Sequence, residues 1–302
     1  MRSVLIALAA AATFASSAIA SPSEWQIVKR ADGPTDVEIL NFALTLEHLE
    51  KNFYFQGLKK FKKADFLKAG YSAKTHARVQ QIAIQEKAHV TFLAGALGDA
   101  GVQQCKYNFD AAFTSVKSFL ATSRILENVG TAAYLGAGPD ITSKGYLAAA
   151  ASVLTIEARH SAYLNEVSAG DSGFPVAFEQ SLDYAQVYSL AAPFIQPNSC
   201  GKAGALPSSI KAFPALSLIT KIPRSGHTSA INFVHPAGQS TFYGFFLNGG
   251  SSVPVKVITG PDGVDRINVP KDLDGLTYLI ISTSATELED SNTVAGPAIL
   301  FL

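Results

Sequence analysis

The sequence predicts an α+β chain: a four-helix bundle with one long crossover connection, followed by a small antiparallel β-sandwich-like C-terminal domain. Three observations carry this reading. Up to about residue 200 the chain is rich in Ala and Leu at helical spacing, and beyond it Pro, Gly and β-branched residues take over. The stretch from Gly98 to Phe109 separates the second helical segment from the third. About eleven residues at roughly 3.3 Å each can run the length of a bundle, which permits one crossover between two helical hairpins. The expected divisions are a signal peptide at 1–20, a pro-segment at 21–30, the bundle at 31–200 and the β-rich domain at 201–302.

The N-terminus reads as a targeting segment. Arg2 supplies positive charge, residues 4–12 are apolar, and Ala18-Ile19-Ala20 fits a cleavage site. Lys29-Arg30 then suggests removal of a short pro-segment. Secretion is therefore expected, to the extracellular space or the cell wall. No later run is apolar and long enough to span a bilayer, so the mature form is expected to carry no membrane anchor. With 24 basic and 24 acidic residues the formal net charge is zero, which gives no reason to expect nucleic acid or an anionic membrane as partner. The two cysteines, Cys105 and Cys200, favour one disulfide in an oxidising compartment. Such a bridge would tie the crossover to the end of the bundle.

Pro34 and Thr35 open the first helix, over residues 37–55. Ile39, Phe42, Leu46, Leu49 and Phe53 form one stripe, and Leu40, Ala43, Glu47, Glu50 and Tyr54 the next, so this helix is expected to be buried nearly all round. The lysines between 59 and 63 read as a solvated turn. The second helix covers 73–97 and stops at Gly98, with Ile82, Glu86, His89, Leu93 and Ala96 on one face. The third covers 110–136, with Phe113, Leu120, Glu127 and Tyr134 roughly in line and Pro139 closing it. The fourth covers 142–167 and turns Ala150, Val153, Leu154, Glu157, His160 and Leu164 inward. A short fifth helix falls within 178–194. Strands are expected at 229–234, 241–247, 253–258 and 277–282, separated by turn signals such as Gly249-Gly250 and Asp274-Gly275.

The chemistry lies in two Glu-x-x-His motifs, Glu86 with His89 and Glu157 with His160. On a helix this spacing puts carboxylate and imidazole on one face, a turn apart. Each motif sits on the second helix of a hairpin whose first helix carries a core-facing glutamate, Glu47 or Glu127. One Glu from each of two helices and one Glu-x-x-His from each of the other two is the ligand pattern of di-iron and di-manganese carboxylate bundles. Four buried carboxylates would be costly without compensation, and two divalent cations balance them. Oxygen and imidazole donors without thiolate suit Fe or Mn. Glu50 shares the face of Glu47 one turn on, so it either replaces Glu47 or sits beside the ligands; the more central place of Glu47 favours it. Tyr54, Tyr134 and Tyr163 lie near inner faces, where packing is the default role and a hydrogen bond to a ligand carboxylate the alternative. His48 falls off the stripe and is expected at the surface or between subunits.

The runs LNFALTLEHLEKNFY, QEKAHVTFL, ENVGTAAYLGA and LTIEARHSAYL resemble the secreted ferritin-like domain proteins of fungi, relatives of plant desiccation-related and fungal stress-response proteins. The resemblance covers residues 36–200. It implies a ferritin-like bundle with a di-metal site at Glu47, Glu86, His89, Glu127, Glu157 and His160, and a β-rich extension ending like the GPAILFL terminus here. Two functions compete. One is ferroxidase or peroxide and dioxygen redox chemistry at the metal pair. The other is a non-enzymatic stress-related or cell-surface protein whose metal site is structural or vestigial and whose C-terminal domain meets a cell-wall or extracellular partner.

Overall fold

Helix α1 (Asp36–Lys60) starts where the sequence supplies a reciprocal cap. The Glu38 amide donates to the Thr35 hydroxyl and the Thr35 amide donates to the Glu38 carboxylate. The computed structural model describes residues 33–200 and 210–302, so the expected signal peptide and pro-segment lie outside the described residues. Helix α2 (Lys63–Lys68) follows at once. The lysines at 59, 60, 62 and 63 are all exposed, as expected of a solvated turn, and the chain breaks between the two helices at Phe61 and Lys62, with the Phe61 ring buried in the aromatic core. Helix α3 (Ala73–Leu97) is capped by Ser72 and ends at Gly98, whose positive φ of 52° suits glycine. Helix α4 (Val116–Ala137) starts later than expected, because Ser115 is extended and caps it; residues before it form only a short 3-10 turn. Helix α5 (Lys144–Ala169) ends at left-handed Gly170. Helix α6 (Tyr184–Ala191) opens on an Asp183–Gln186 capping box and closes in a 3-10 turn containing Pro193.

Helix α1 packs along α3, and α4 along α5, giving two hairpins that meet chiefly through α1 and α4. The crossover between them lies on α1 and is clipped there by polar side chains. Asn41 donates to the Ala100 carbonyl and accepts from the Val102 amide, and Asn52 donates to Gln104. His48 belongs to this row: it is buried, with Nε2 3.3 Å from the Val102 carbonyl. It is therefore not a surface residue; Asn41, His48 and Asn52 fall on one helical face. The far end of the crossover pairs with the chain after α6, where the Asn108 amide donates to the Phe194 carbonyl and the Gln196 amide to Lys106. The disulfide between Cys105 and Cys200 closes the same strap.

The β region forms two four-stranded antiparallel sheets. One orders β1 (Ser217–Leu218), β2 (Thr228–Asn232), β6 (Asp265–Asn268) and β5 (Ile258–Thr259); the other orders β4 (Ser251–Lys256), β3 (Tyr243–Asn248), β7 (Leu276–Ser282) and β8 (Thr293–Phe301). Strand β7 is buried at every residue. Its Leu279 and Ile281 face the other sheet, among Ile231, Phe246 and Ile267. Its Leu276, Tyr278 and Ile280 join Phe245 and Leu247 against Phe42, Val129, Ala132 and Val187 of the helices. A run apolar on both faces is what a strand covered on both sides requires. The Tyr278 hydroxyl donates to the Asn128 carbonyl, and the Arg124 guanidinium lies 3.4 Å from the centroid of Phe301. Among the described residues no helix is long and apolar enough to cross a membrane.

Candidate metal centre

Glu47 on α1, Glu86 and His89 on α3, Glu127 on α4, and Glu157 and His160 on α5 converge on one interior point between the hairpins. One ligand atom each from Glu47, Glu86, His89 and Glu157 lies within 4.8 Å of the others, and the same holds for Glu86, Glu127, Glu157 and His160. Glu86 and Glu157 belong to both groups. All four carboxylates are fully buried and His160 nearly so.

The hydrogen-bond accounting exposes the character of this point. His89 Nδ1 faces three carboxylate oxygens from three helices, Glu86 Oε2 at 3.2 Å and Glu47 Oε2 and Glu157 Oε1 at 3.3 Å. One nitrogen carries at most one proton and cannot satisfy three acceptors. His160 Nδ1 faces Glu127 Oε2 at 2.9 Å and Glu86 Oε1 at 3.1 Å. Glu47 Oε2, Glu86 Oε1 and both oxygens of Glu157 are buried without a hydrogen-bond partner. Orphaned carboxylate oxygens in an apolar interior are expensive, and they are the atoms a cation would satisfy. The donor set of carboxylates and imidazoles is one that could hold a metal ion.

The remaining oxygens are held from outside the cluster. Tyr54 donates to Glu127 Oε1 at 2.5 Å and Tyr134 donates to Glu47 Oε1 at 2.6 Å. Both tyrosines follow their own helix's glutamate by seven residues, and each reaches the glutamate of the other hairpin. His160 Nε2 lies 2.7 Å from Gln85 Oε1, an acceptor that fixes a proton on Nε2 and turns Nδ1 toward the carboxylates. Gln85 escaped the sequence reading; its place immediately before Glu86, near the edge of the inner face, was the available signal. Tyr163 makes no hydrogen bond to the carboxylates and instead packs at the edge of the aromatic core.

Glu50 is buried but belongs to neither group. The position equivalent to Glu50 in the second hairpin is Gly130. A Cβ there would meet Glu157 Oε2 at 2.8 Å and Glu50 Oε1 at 3.1 Å, so the glycine leaves room for the fifth carboxylate.

Without cations this cluster neutralises itself with protons. Burial and the charge of Glu86 push Glu47 up to about 8. Burial and neighbouring carboxylates push Glu50 and Glu157 well above the usual range. Burial would raise Glu86 as well, but the neighbouring His160 and His89 imidazoles outweigh it and draw it down to about 2. Burial opposes charge on the imidazoles, yet carboxylate contacts raise His89 strongly and His160 to about 10. Cation binding must displace these protons.

Residues 35–169 match the family model described as a ferritin-like domain. The chain is also 28% identical over 217 residues to Protein rds1 of Schizosaccharomyces pombe, covering 68% of this chain and 52% of the relative. The chain thus spans about half the length of that curated relative. The architecture is α+β, with long helices in the region that matches the ferritin-like domain model followed by an antiparallel β region in two sheets.

Proposed function

We propose that this chain holds a carboxylate-bridged pair of iron or manganese ions and uses it for redox chemistry on dioxygen or peroxide. Glu47 and His89 would serve one ion, Glu127 and His160 the other, with Glu86 and Glu157 shared between them. The observation that carries this reading is the crowding of oxygens from three helices around the single Nδ1 of His89, with four carboxylate oxygens left unpaired. Once bound, such ions supply Lewis acidity and electron transfer that no side chain here can provide. The chain's own residues do the rest. Tyr54 and Tyr134 orient the terminal carboxylates, Gln85 sets the tautomer of His160, and the buried core excludes bulk water.

Secretion belongs to the same proposal. It is supported by the N-terminal sequence and by the Cys105–Cys200 disulfide, which persists in oxidising compartments. A second reading, a structural metal site in a stress-related or cell-surface protein, is favoured by how deeply the cluster is tied into both hairpins. In that case the sheet containing β2 and β6, whose outer face is not packed on the helices, is the one to meet a cell-wall partner.

Elemental analysis of the purified chain, with assays of Fe(II) oxidation and peroxide loss, tests both. Two metal equivalents with turnover abolished in Glu86→Ala and Glu157→Ala supports the enzyme. Two equivalents without turnover, and a large fall in Tm on chelation, supports the structural role. Metal-replete expression that yields no bound metal removes both.

A further inference from the structure

A cavity of about 330 Å³ opens between α3 and α5 and reaches the cluster at His160. Helix α3 lines it with Arg78, Gln81, Ile82 and Gln85, and α5 with Ile156, Arg159, His160 and Tyr163. Its floor is the His160–Gln85 contact. Its mouth carries two arginines and no acidic residue. Arg78 donates only to the neutral Gln81, and Arg159 has no ion-pair partner among the described residues. Both arginines are exposed.

The fold does not demand this charge. The two hairpins repeat the same Glu-x-x-His frame, so each lining position has a counterpart at the opposite end of the bundle. Counted from the motif glutamates, Arg159 and Tyr163 correspond to Ala88 and Phe92, and Arg78 corresponds to Ala149. At those counterpart positions alanine stands in place of each guanidinium. Two unpaired guanidiniums beside a space of this size, above the apolar walls of Ile82 and Ile156, suit a carboxylate on a short apolar stem. The same charges oppose passage of a divalent cation by this opening, so metal ions fit better as residents than as cargo.

We infer that this cavity binds a small organic acid, its carboxylate held at Arg78 and Arg159 and its body directed at His160. The inference rests on the metal-centre reading for the chemistry at the floor, and on the arginines alone for binding. The test is calorimetric titration of the purified chain with butanoate and with its neutral counterpart butanamide, before and after chelation and dialysis. Butanoate is expected to bind at least tenfold tighter than butanamide, and Arg78→Gln with Arg159→Gln is expected to erase the difference without lowering Tm. Equal binding of acid and amide, or an unchanged preference in the double variant, overturns the inference. Arginine-dependent butanoate binding by a chain with no metal keeps this site and removes the metal reading. Two metal equivalents with no butanoate preference does the reverse.

Discussion

The two helical hairpins, α1–α3 and α4–α5, are built on one plan and differ at a few positions. Each supplies a glutamate on its first helix, a tyrosine seven residues later and a Glu-x-x-His on its second. The tyrosines are exchanged, so that each hairpin steadies the other's carboxylate. The shared plan makes a balanced cluster: four carboxylates and two imidazoles suit two divalent cations. The differences are what the balance does not require. The first hairpin adds Glu50, the second leaves Gly130 opposite it, and Arg159 and Arg78 have alanines, Ala88 and Ala149, at their counterpart positions. Departures from the repeat therefore mark positions that the proposed metal pair does not explain.

The largest expected effect tests the sharing between the halves. Glu86→Ala or Glu157→Ala removes a residue common to both ligand groups, and elemental analysis is expected to find both ions lost. Glu47→Ala or Glu127→Ala removes a residue of one group only and is expected to leave about one ion per chain. Equal loss from all four variants would mean that the halves do not bind separately.

Next in size is the response to pH, where metal-free and loaded protein should move in opposite directions. Glu47, Glu50 and Glu157 have raised pKa values in the fold, as do His89 and His160. The folded state therefore binds more protons than the unfolded chain above pH 4.5, and stability must fall as pH rises. Glu86 runs the other way, but its window lies between about 2 and its ordinary value of 4.5. The chelated protein is expected to lose about 10 °C in Tm between pH 5 and pH 8. Loaded with metal it should gain stability over the same range, because the ligands must be deprotonated. A chelated protein whose Tm rises with pH would break this account.

A smaller effect probes Gly130 against Glu50. Gly130→Ala forces a methyl group against Glu157 and Glu50 and is expected to cost about 1–3 kcal/mol in denaturant unfolding. Combining it with Glu50→Ala, which vacates the facing space, should recover part of that loss. Additive costs would show that the glycine does not serve Glu50.

How much of this was legible beforehand follows from what sequence patterns encode. The bounds of α3 could be read because Gly98 stops the helix and its apolar face is regular. The start of α4 could not, since Ala112 and Phe113 continue its apolar spacing and only the extended backbone of Ser115 separates them from it. Four strands left clear β-rich runs between turn signals, but β6 and β8 did not. Strand β6 has only four residues, and β8 reads as Gly, Pro and Ala because it packs closely in a covered sheet. The six convergent side chains could be named because helical spacing fixes which residues share a face. Gln85, the place of His48 under the crossover, and the arginine-lined cavity depend on which helices become neighbours, and no local pattern carries that.

The smallest effect separates the exchanged tyrosines. Tyr54→Phe and Tyr134→Phe each strip a donor from a buried carboxylate oxygen, and the two bonds differ by only 0.1 Å in length. Their surroundings differ more. Tyr54 is wholly enclosed, so nothing replaces its hydroxyl on Glu127. Tyr134 is only half-buried as a residue, so its ring lies nearer the surface than that of Tyr54, although Glu47 itself is fully enclosed. Tyr54→Phe should therefore cost about 2–3 kcal/mol in unfolding free energy and about tenfold in metal affinity, and Tyr134→Phe nearer 1 kcal/mol. Equal costs would show that the enclosure of the two halves is matched after all, and that their asymmetry is confined to Glu50 and the arginines.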